Sequence, residues 1–198
     1  MEDFYMRSER ELQSAPKQKP SAKIKLNMSE PRAKQKIHLI REAERSELDA
    51  IWKLNQSEVP HVGSVSFEDF EKLVVAARAV RVVVSDGKIA GFAVIFDEKG
   101  HYLSPNFIWF KARYPAFTYI DRIVVLPEFR RRGIARTLYD DAQKFADSSG
   151  SLLTCEVNLN PPNPDSIQFH EKLGFKAVGT QENYGGKITV QMYVRSNV

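Results

Sequence analysis

The alternation of apolar runs along the chain predicts a mixed α/β fold: a mostly antiparallel central sheet with helices on both faces. Three observations carry this. From residue 37 onward the runs read β-α-α-β-β-β-α-β-α-β-β, with no internal repeat. Asp86-Gly87 separates two β-branched apolar runs and marks a hairpin. Residues 119–136 read as a strand, a basic turn holding Gly133, and the start of a helix.

Length and charge set the frame. At 198 residues the chain suits one domain with an ordinary core. We place that domain at residues 37–198, behind a basic, mostly disordered extension over residues 1–36 that holds Pro16, Pro20 and Pro31. The net charge of +4 belongs to the extension, which has nine Lys/Arg against five Asp/Glu. The remainder has twenty of each and lacks the basic excess of a nucleic-acid binder. No apolar run approaches the ~20 residues that span a bilayer, so no membrane partner is expected. The N-terminus lacks the basic-then-apolar order of a signal peptide. The single cysteine, Cys155, rules out an intrachain disulfide and a Cys-rich metal site. A reducing compartment, the cytoplasm, is the expected location.

The elements follow in order. Residues 37–42 read as the first strand. Ser46 is placed to cap a helix carrying Leu48, Ile51, Trp52 and Leu54, and Gly63 breaks the chain after it. Ser66 caps a second helix, with Glu68 and Asp69 in its first turn. Residues 80–84 and 89–96 form the hairpin. Residues 97–116 are irregular and rich in aromatics. Ser104 is placed to cap a short helix opened by Pro105, and the segment reads equally as a pocket wall or an added packing layer. Pro127 ends the strand that begins at Tyr119. Ile134, Leu138, Ala142 and Phe145 then recur at helical spacing. Residues 151–158 form a strand, Asn160-Pro161-Pro162-Asn163-Pro164 a rigid turn, and residues 165–173 a short helix stopped by Gly174. Residues 176–180 and 187–195 are the last strands.

The turn at Arg130-Arg131-Arg132-Gly133 is the first candidate site. A strand, a glycine turn and a helix aim free backbone N–H groups at one point, where the helix dipole favours an anion. We read it as a pyrophosphate cradle. Arg130-x-x-Gly133-x-Ala135, preceded by Val125-x-Pro127, resembles the acetyl-CoA-binding motif of the GNAT superfamily of N-acetyltransferases. Asn163-x-x-Ser166-x-x-Phe169-His170-x-Lys172-Leu173-Gly174-Phe175 resembles that family's C-terminal motif, with His170 where the family often has tyrosine. Ser104-Pro-Asn-Phe, Tyr119-Ile-Asp-Arg and Cys155-Glu-Val-Asn look like a bacterial subgroup of predicted acetyltransferases. The resemblance covers residues 37–195.

It implies a GNAT fold, with acetyl-CoA as cosubstrate in a cleft where the central strand and the next one part. Backbone groups of Ile123 and Val125 would pair with pantetheine. The N–H groups of Arg131, Arg132, Gly133, Ile134, Ala135 and Arg136 would hold pyrophosphate, with the Arg130 side chain helping. Asn163, Ser166 and Phe169 would complete the cofactor site. His170 would protonate the departing thiolate, a role imidazole can fill near neutral pH.

A protonated amine cannot attack. A lysine-like amine with pKa ~10.4 carries about 4.6 kcal/mol of deprotonation cost at pH 7. A base is therefore needed, and two acids stand in apolar strands. Alternation places Tyr119, Asp121, Ile123 and Val125 on one face of the central strand, and Thr154, Glu156 and Asn158 on one face of the next. Asp121 or Glu156 is the expected base, the other drawing in a cationic amine; pairing with Arg122 or Arg81 is the structural alternative. The expected activity is acetyl transfer to a primary amine of a small molecule or peptide. The alternative is an acyl-CoA-binding regulator without turnover. A homodimer is compatible with either reading. Because a disordered segment buries little, deleting residues 1–36 is expected to leave the melting temperature and acetyl-CoA affinity nearly unchanged, as differential scanning fluorimetry with and without the cofactor would show.

Overall fold

The computed structural model describes residues 38–60 and 62–196. The expected extension lies outside the described residues. The elements are β1 (Leu39–Glu42), α1 (Leu48–Ser57), α2 (Phe67–Ala76), β2 (Ala79–Ser85), β3 (Lys88–Asp97), α3 (Pro105–Lys111), β4 (Phe117–Val125), α4 (Ile134–Ser149), β5 (Leu152–Asn160), α5 (Pro164–Lys172), β6 (Lys176–Asn183) and β7 (Ile188–Arg195). The strands form one seven-stranded sheet in the order β1-β2-β3-β4-β5-β7-β6. Every neighbouring pair is antiparallel except β4 and β5. The expected fold class is the one observed.

Local chemistry explains most boundaries. Asp86 and Gly87 both take positive φ, 54° and 76°, as the tight β2–β3 hairpin requires. Ser66 caps α2, its side chain accepting the Asp69 N–H at 3.1 Å. One cap expectation is corrected and a second holds in position only. Ser46 does not cap α1. A 3-10 turn over Arg45–Glu47 precedes the helix, and the Glu47 carboxylate accepts the Glu44 N–H while also taking two bonds from Arg41. A carboxylate held by a guanidinium outcompetes a hydroxyl for that turn. Ser104 stands at the N-cap of α3 but its side chain makes no cap hydrogen bond; Pro105 at the first position leaves fewer donors to satisfy.

The sheet has a core on each face. On one, Ile51, Leu54, Phe70, Leu73, Phe107 and Phe110 from α1, α2 and α3 pack on Val82, Phe92, Val94, Phe96 and Tyr119. The aromatic segment thus resolves chiefly as a packing layer: Phe107 and Phe110 are fully buried, with ring centroids 5.3 and 6.0 Å from Phe117. On the other face Ile134, Leu138, Ala142 and Ala146 of α4 cover Ala93, Ile95, Ile120, Leu153 and Cys155. β3 is buried from Ala90 to Phe96 because both faces are covered.

The α4 contact depends on one glycine. A Cβ on Gly91 would stand 2.6 Å from the Val124 carbonyl oxygen and 3.2 Å from Ile134 Cγ2. A backbone oxygen of the central strand cannot give way cheaply, and overpacking of this kind costs about 1–3 kcal/mol. Gly91→Ala should lower the urea midpoint by that much free energy with an unchanged m-value, which equilibrium unfolding would measure.

Candidate active site

β4 and β5 pair in parallel through only three residues, Phe117, Thr118 and Tyr119 against Leu152, Leu153 and Thr154. Beyond Tyr119 the strands separate and leave a cleft of about 630 Å³, lined by Ile120–Val125 of β4 and Cys155–Asn158 of β5. Residues at the cleft edge of β4 therefore present backbone N–H and C=O groups with no sheet neighbour on that side.

A β-bulge sets what β4 shows. Val94 pairs with Arg122 and the next residue, Ile95, pairs with Ile120, so Asp121 is the extra residue. This corrects the expected alternation. Tyr119 and Val124 belong to the core under α1, α2 and α3, whereas Ile120, Ile123 and Val125 belong to the α4 side. Asp121 and Arg122 consecutively take the first face, where Tyr102 and Asn55 meet them. On β5, Glu156 faces α3 and Tyr119 on that same side while Cys155 and Val157 face α4, as alternation requires.

The two acids differ in their company. Asp121 accepts from Tyr102 Oη at 2.7 Å and from Arg122 Nε at 2.7 Å, so both its oxygens are engaged. Arg122 in turn donates to Asn55 Oδ1 at 3.1 Å. Glu156 Oε1 accepts from Asn106 Nδ2 at 2.8 Å and Tyr119 Oη at 3.0 Å, but Oε2 is buried with no partner among the described residues. Burial, and then the negative charge of Asp121, push the Glu156 carboxyl up to about 8; the Asn106 and Tyr119 hydrogen bonds only partly oppose them. The site thus holds one carboxylate fixed in an ion pair and one poised to exchange a proton near neutrality.

The cradle is built from backbone. After β4 a 3-10 turn over Pro127–Phe129 leads to Arg131 at φ 58° and Gly133 at φ 85°, and α4 starts at Ile134. The first helical bond is Thr137 N–H to Gly133 O, at 3.0 Å, leaving the N–H groups of Ile134, Ala135 and Arg136 unbonded within the helix. Nothing lies within 4 Å of a Cβ built on Gly133, so the turn is open where an anion would approach. Free donors, an open concavity and a parted strand pair fit a nucleotide-linked thioester such as acetyl-CoA.

The arginine side chains do less than expected. Arg130 crosses to Glu58 at the end of α1 and also donates to Val125 O at 3.2 Å. Arg132 lies over the Phe129 ring, 5.1 Å from its centroid, and Arg136 sits near Asp140. Ile134 is 1% exposed and offers only its backbone.

In α5, Asn163 caps the helix by accepting the Ser166 N–H at 3.2 Å, and both residues line the cleft. Phe169 is half-buried. It is absent from the cleft wall and packs on Tyr139, at 5.8 Å between centroids, because its helix turns that face onto the α4 core. His170 reaches the cleft wall but is 4% exposed. Its Nδ1 donates to Ser166 O at 2.7 Å, which leaves Nε2 to accept from Tyr139 Oη at 2.6 Å. Burial lowers its pKa, so the ring is neutral with its one proton held by the backbone.

Tyr102, Asn106, Tyr119, Tyr139 and Asn183 complete the site and were not singled out from sequence as site residues. Tyr102 and Asn106 lie within residues 97–116, which the sequence reads equally as a pocket wall, and Asn106 also belongs to the subgroup segment Ser104-Pro-Asn-Phe. Tyr139 is masked by its helical apolar spacing, and Asn183 by the polar end of an edge strand.

The geometry has known counterparts. Residues 39–175 match the model of the "Acetyltransferase (GNAT) family". An N-alpha-acetyltransferase of Saccharolobus solfataricus is 26% identical over 151 residues, 73% of this chain and 84% of that one. The "Probable N-acetyltransferase san" of Drosophila melanogaster is 30% identical over 70 residues, 35% of this chain and only 38% of that protein. Arabidopsis thaliana NAA60 in complex with acetyl-CoA shares the fold at a TM-score of 0.65 and 17% identity, over 81% of this chain and 100% of that one. The ribosomal-protein-S18-alanine N-acetyltransferase of Escherichia coli does so at 0.61 and 20%, over 80% and 92%. Among the described residues no helix is long and apolar enough to cross a membrane. Gly133→Glu should place a side chain and a negative charge in the open turn. It is expected to abolish the rise in melting temperature that acetyl-CoA gives the parent by mass action, and, because a side chain at φ 85° is strained, also to lower stability without cofactor by about 1–2 kcal/mol.

Proposed function

The chain belongs to the acetyltransferase (GNAT) family, whose enzymes pass the acetyl group of acetyl-CoA to an amine, and we propose that here Glu156 is the base that readies the amine. The observation that carries this is the state of Glu156: one oxygen held, the other unpartnered, at the point where β4 and β5 part. A base near pKa 8 accepts a proton from an ammonium and returns it readily. Its conjugate acid is the ordinary state at pH 7, so activity should rise as the pH passes through about 8.

Asp121 supports this from a distance. It is ion-paired with Arg122, and its negative charge raises the Glu156 carboxyl. The acetyl group moves as the amine nitrogen bonds to the carbonyl carbon and the C–S bond breaks, leaving a thiolate. A thiol of pKa about 8.5 leaves without strong acid assistance at neutral pH. The expected acid, His170, has no free N–H to give; we retain it as half of the Tyr139–His170 pair at the cleft wall, which turnover of His170→Phe would test.

The acceptor class follows from matched proton affinity. An α-amino group titrates near 7.7–8.0, whereas a lysine amine lies roughly 2.5 pKa units higher, about 3 kcal/mol more for the same base. The relatives named above are N-alpha- and ribosomal-alanine acetyltransferases, which favours a peptide α-amine over a lysine or polyamine. The free, buried Cys155 supports a cytoplasmic setting.

Glu156→Gln keeps shape and removes the base. Turnover on an alanyl peptide, followed as CoA release, should fall by a factor of roughly 10² to 10⁴, with the acetyl-CoA thermal shift intact. The parental rate should inflect near pH 8, and Asp121→Asn should move that inflection down. Stability should respond oppositely. Because the folded-state pKa lies above the unfolded one, the folded protein binds more protons between them and loses stability as pH rises toward 8. Glu156→Gln should therefore melt above the parent at pH 9 and close to it below pH 5. Turnover within about threefold of the parent would remove Glu156 from the chemistry.

A further inference from the structure

The described residues that join α1 to α2 form no helix or strand, yet Glu58, Pro60, Val62 and Gly63 line the cleft. Side chains of α1 hold this segment. Trp52 Nε1 donates to Val65 O at 2.9 Å. Gln56 Oε1 accepts the Val65 N–H at 3.3 Å, and Gln56 Nε2 donates to Ser64 Oγ at 3.1 Å. Asn55 is the fully buried member of the set. Its Oδ1 accepts from Arg122 Nη1 at 3.1 Å, and its Nδ2 donates to Gly63 O at 3.2 Å and to Gln56 Oε1 at 3.0 Å.

The direction of Asn55 is forced. A guanidinium only donates and does not lose its protons in proteins. Asn55 must therefore show oxygen to Arg122, which leaves its amide N–H groups for Gly63 and Gln56. The opposite orientation would set donor against donor at Arg122 and oxygen against oxygen at Gly63. Asn55 stands behind the cleft lining, between two residues that belong to it. One is Arg122, paired with Asp121 on the bulge; the other is Gly63 in the wall. Val62 and Val65 pack on the same side of the sheet as α1, α2 and α3, which Asp121 and Glu156 also face. The anion cradle opens α4, which covers the other side.

We propose that Asn55 is a positioning residue for the acceptor half of the cleft. It sets the wall at Pro60, Val62 and Gly63 by reference to the bulge that carries Asp121, so the acceptor is confined beside the acids. The proposal rests on the reading of Glu156 as the base and adds what holds the wall near it. A wall in place only part of the time lowers the apparent affinity for the acceptor by that fraction. Once the acceptor is bound, the chemical step is unchanged. Loss of this role therefore raises the acceptor KM and spares kcat.

Asn55→Asp separates the two bonds. It keeps an oxygen for Arg122 and turns a second oxygen toward Gly63 O. The KM for an alanyl peptide should rise roughly three- to tenfold, the scale of one lost hydrogen bond. Read on the plateau above each protein's pH inflection, kcat should stay within about twofold. Hydrogen exchange of the Val65 amide in the full chain, followed by NMR, should quicken, with the acetyl-CoA thermal shift as the control for folding. Parental KM and parental exchange would overturn the proposal, because this variant keeps the bond to Arg122. So would a fall in plateau kcat at unchanged KM. If Asn55→Asp does not fold, Gln56→Ala carries the test and should raise KM in the same way. Gln56→Glu should restore it, since a carboxylate can accept from Asn55, the Val65 N–H and the Ser64 hydroxyl. Equal defects in both Gln56 variants, or none in either, would overturn the proposal. The exchange rate is read without turnover, so its outcome is separate from that of Glu156→Gln.

Discussion

The structure depends on the parting of β4 from β5. Three parallel pairs hold the strands together at one end, and none holds them at the other. A parallel pair is normally buried and continuous, so interrupting it exposes backbone in the middle of the domain. The two halves of the sheet stay in register because each has antiparallel partners of its own, β3 for β4 and β7 for β5. The cleft is therefore a feature of the sheet itself. The bulge at Asp121 lies just past the last parallel pair and rotates the strand locally, so that two consecutive polar residues face the same side.

That placement explains how two acids coexist in an apolar sheet. A buried charge is costly unless paired. Asp121 meets this with Arg122 and Tyr102, and Arg122 is itself steadied by Asn55. Glu156 has no cation in contact, only two hydrogen bonds to neutral groups on one oxygen. The difference in partners, and not in depth alone, leaves Glu156 as the carboxyl that burial pushes up toward neutrality. Tyr102 and Tyr119 remain donors throughout because burial pushes both phenols up.

Much of this was legible in the sequence because it rests on local signals. Asp86-Gly87, Ser66, Pro127 and Gly133 each impose a backbone geometry on their own neighbourhood, and the sheet follows from the strands between them. Asp121 and Glu156 stood out as acids in apolar runs. What was not legible depends on contacts distant in sequence. The bulge at Asp121 is defined by its register against β3, so simple alternation put Ile123 and Val125 on the wrong face. Asn106 and Asn183 meet across 77 positions of sequence, and neither residue type is unusual where it occurs. Phe169 and His170 occupy motif positions, yet a helix of nine residues turns Phe169 onto Tyr139 and ties His170 to Ser166 and Tyr139. A motif fixes order along a chain, while packing fixes which side chain faces the cleft.

The run of arginines illustrates the same distinction. The expectation gives the phosphate to backbone N–H groups with only the Arg130 side chain helping, and in the structure Arg130 and Arg136 are drawn toward carboxylates while Arg132 rests on a ring. Exposed pairs of this kind are worth at most about 1 kcal/mol, so they lend little rigidity and bar nothing from approaching. The donors that are fixed in space are the N–H groups at the start of α4, and their direction follows from the positive φ of Arg131 and Gly133. Backbone donors carry no entropy cost of immobilising a long side chain, and no substitution short of proline removes them. The free donors of this turn are therefore set by the conformation of the chain, and the arginines add positive charge around them.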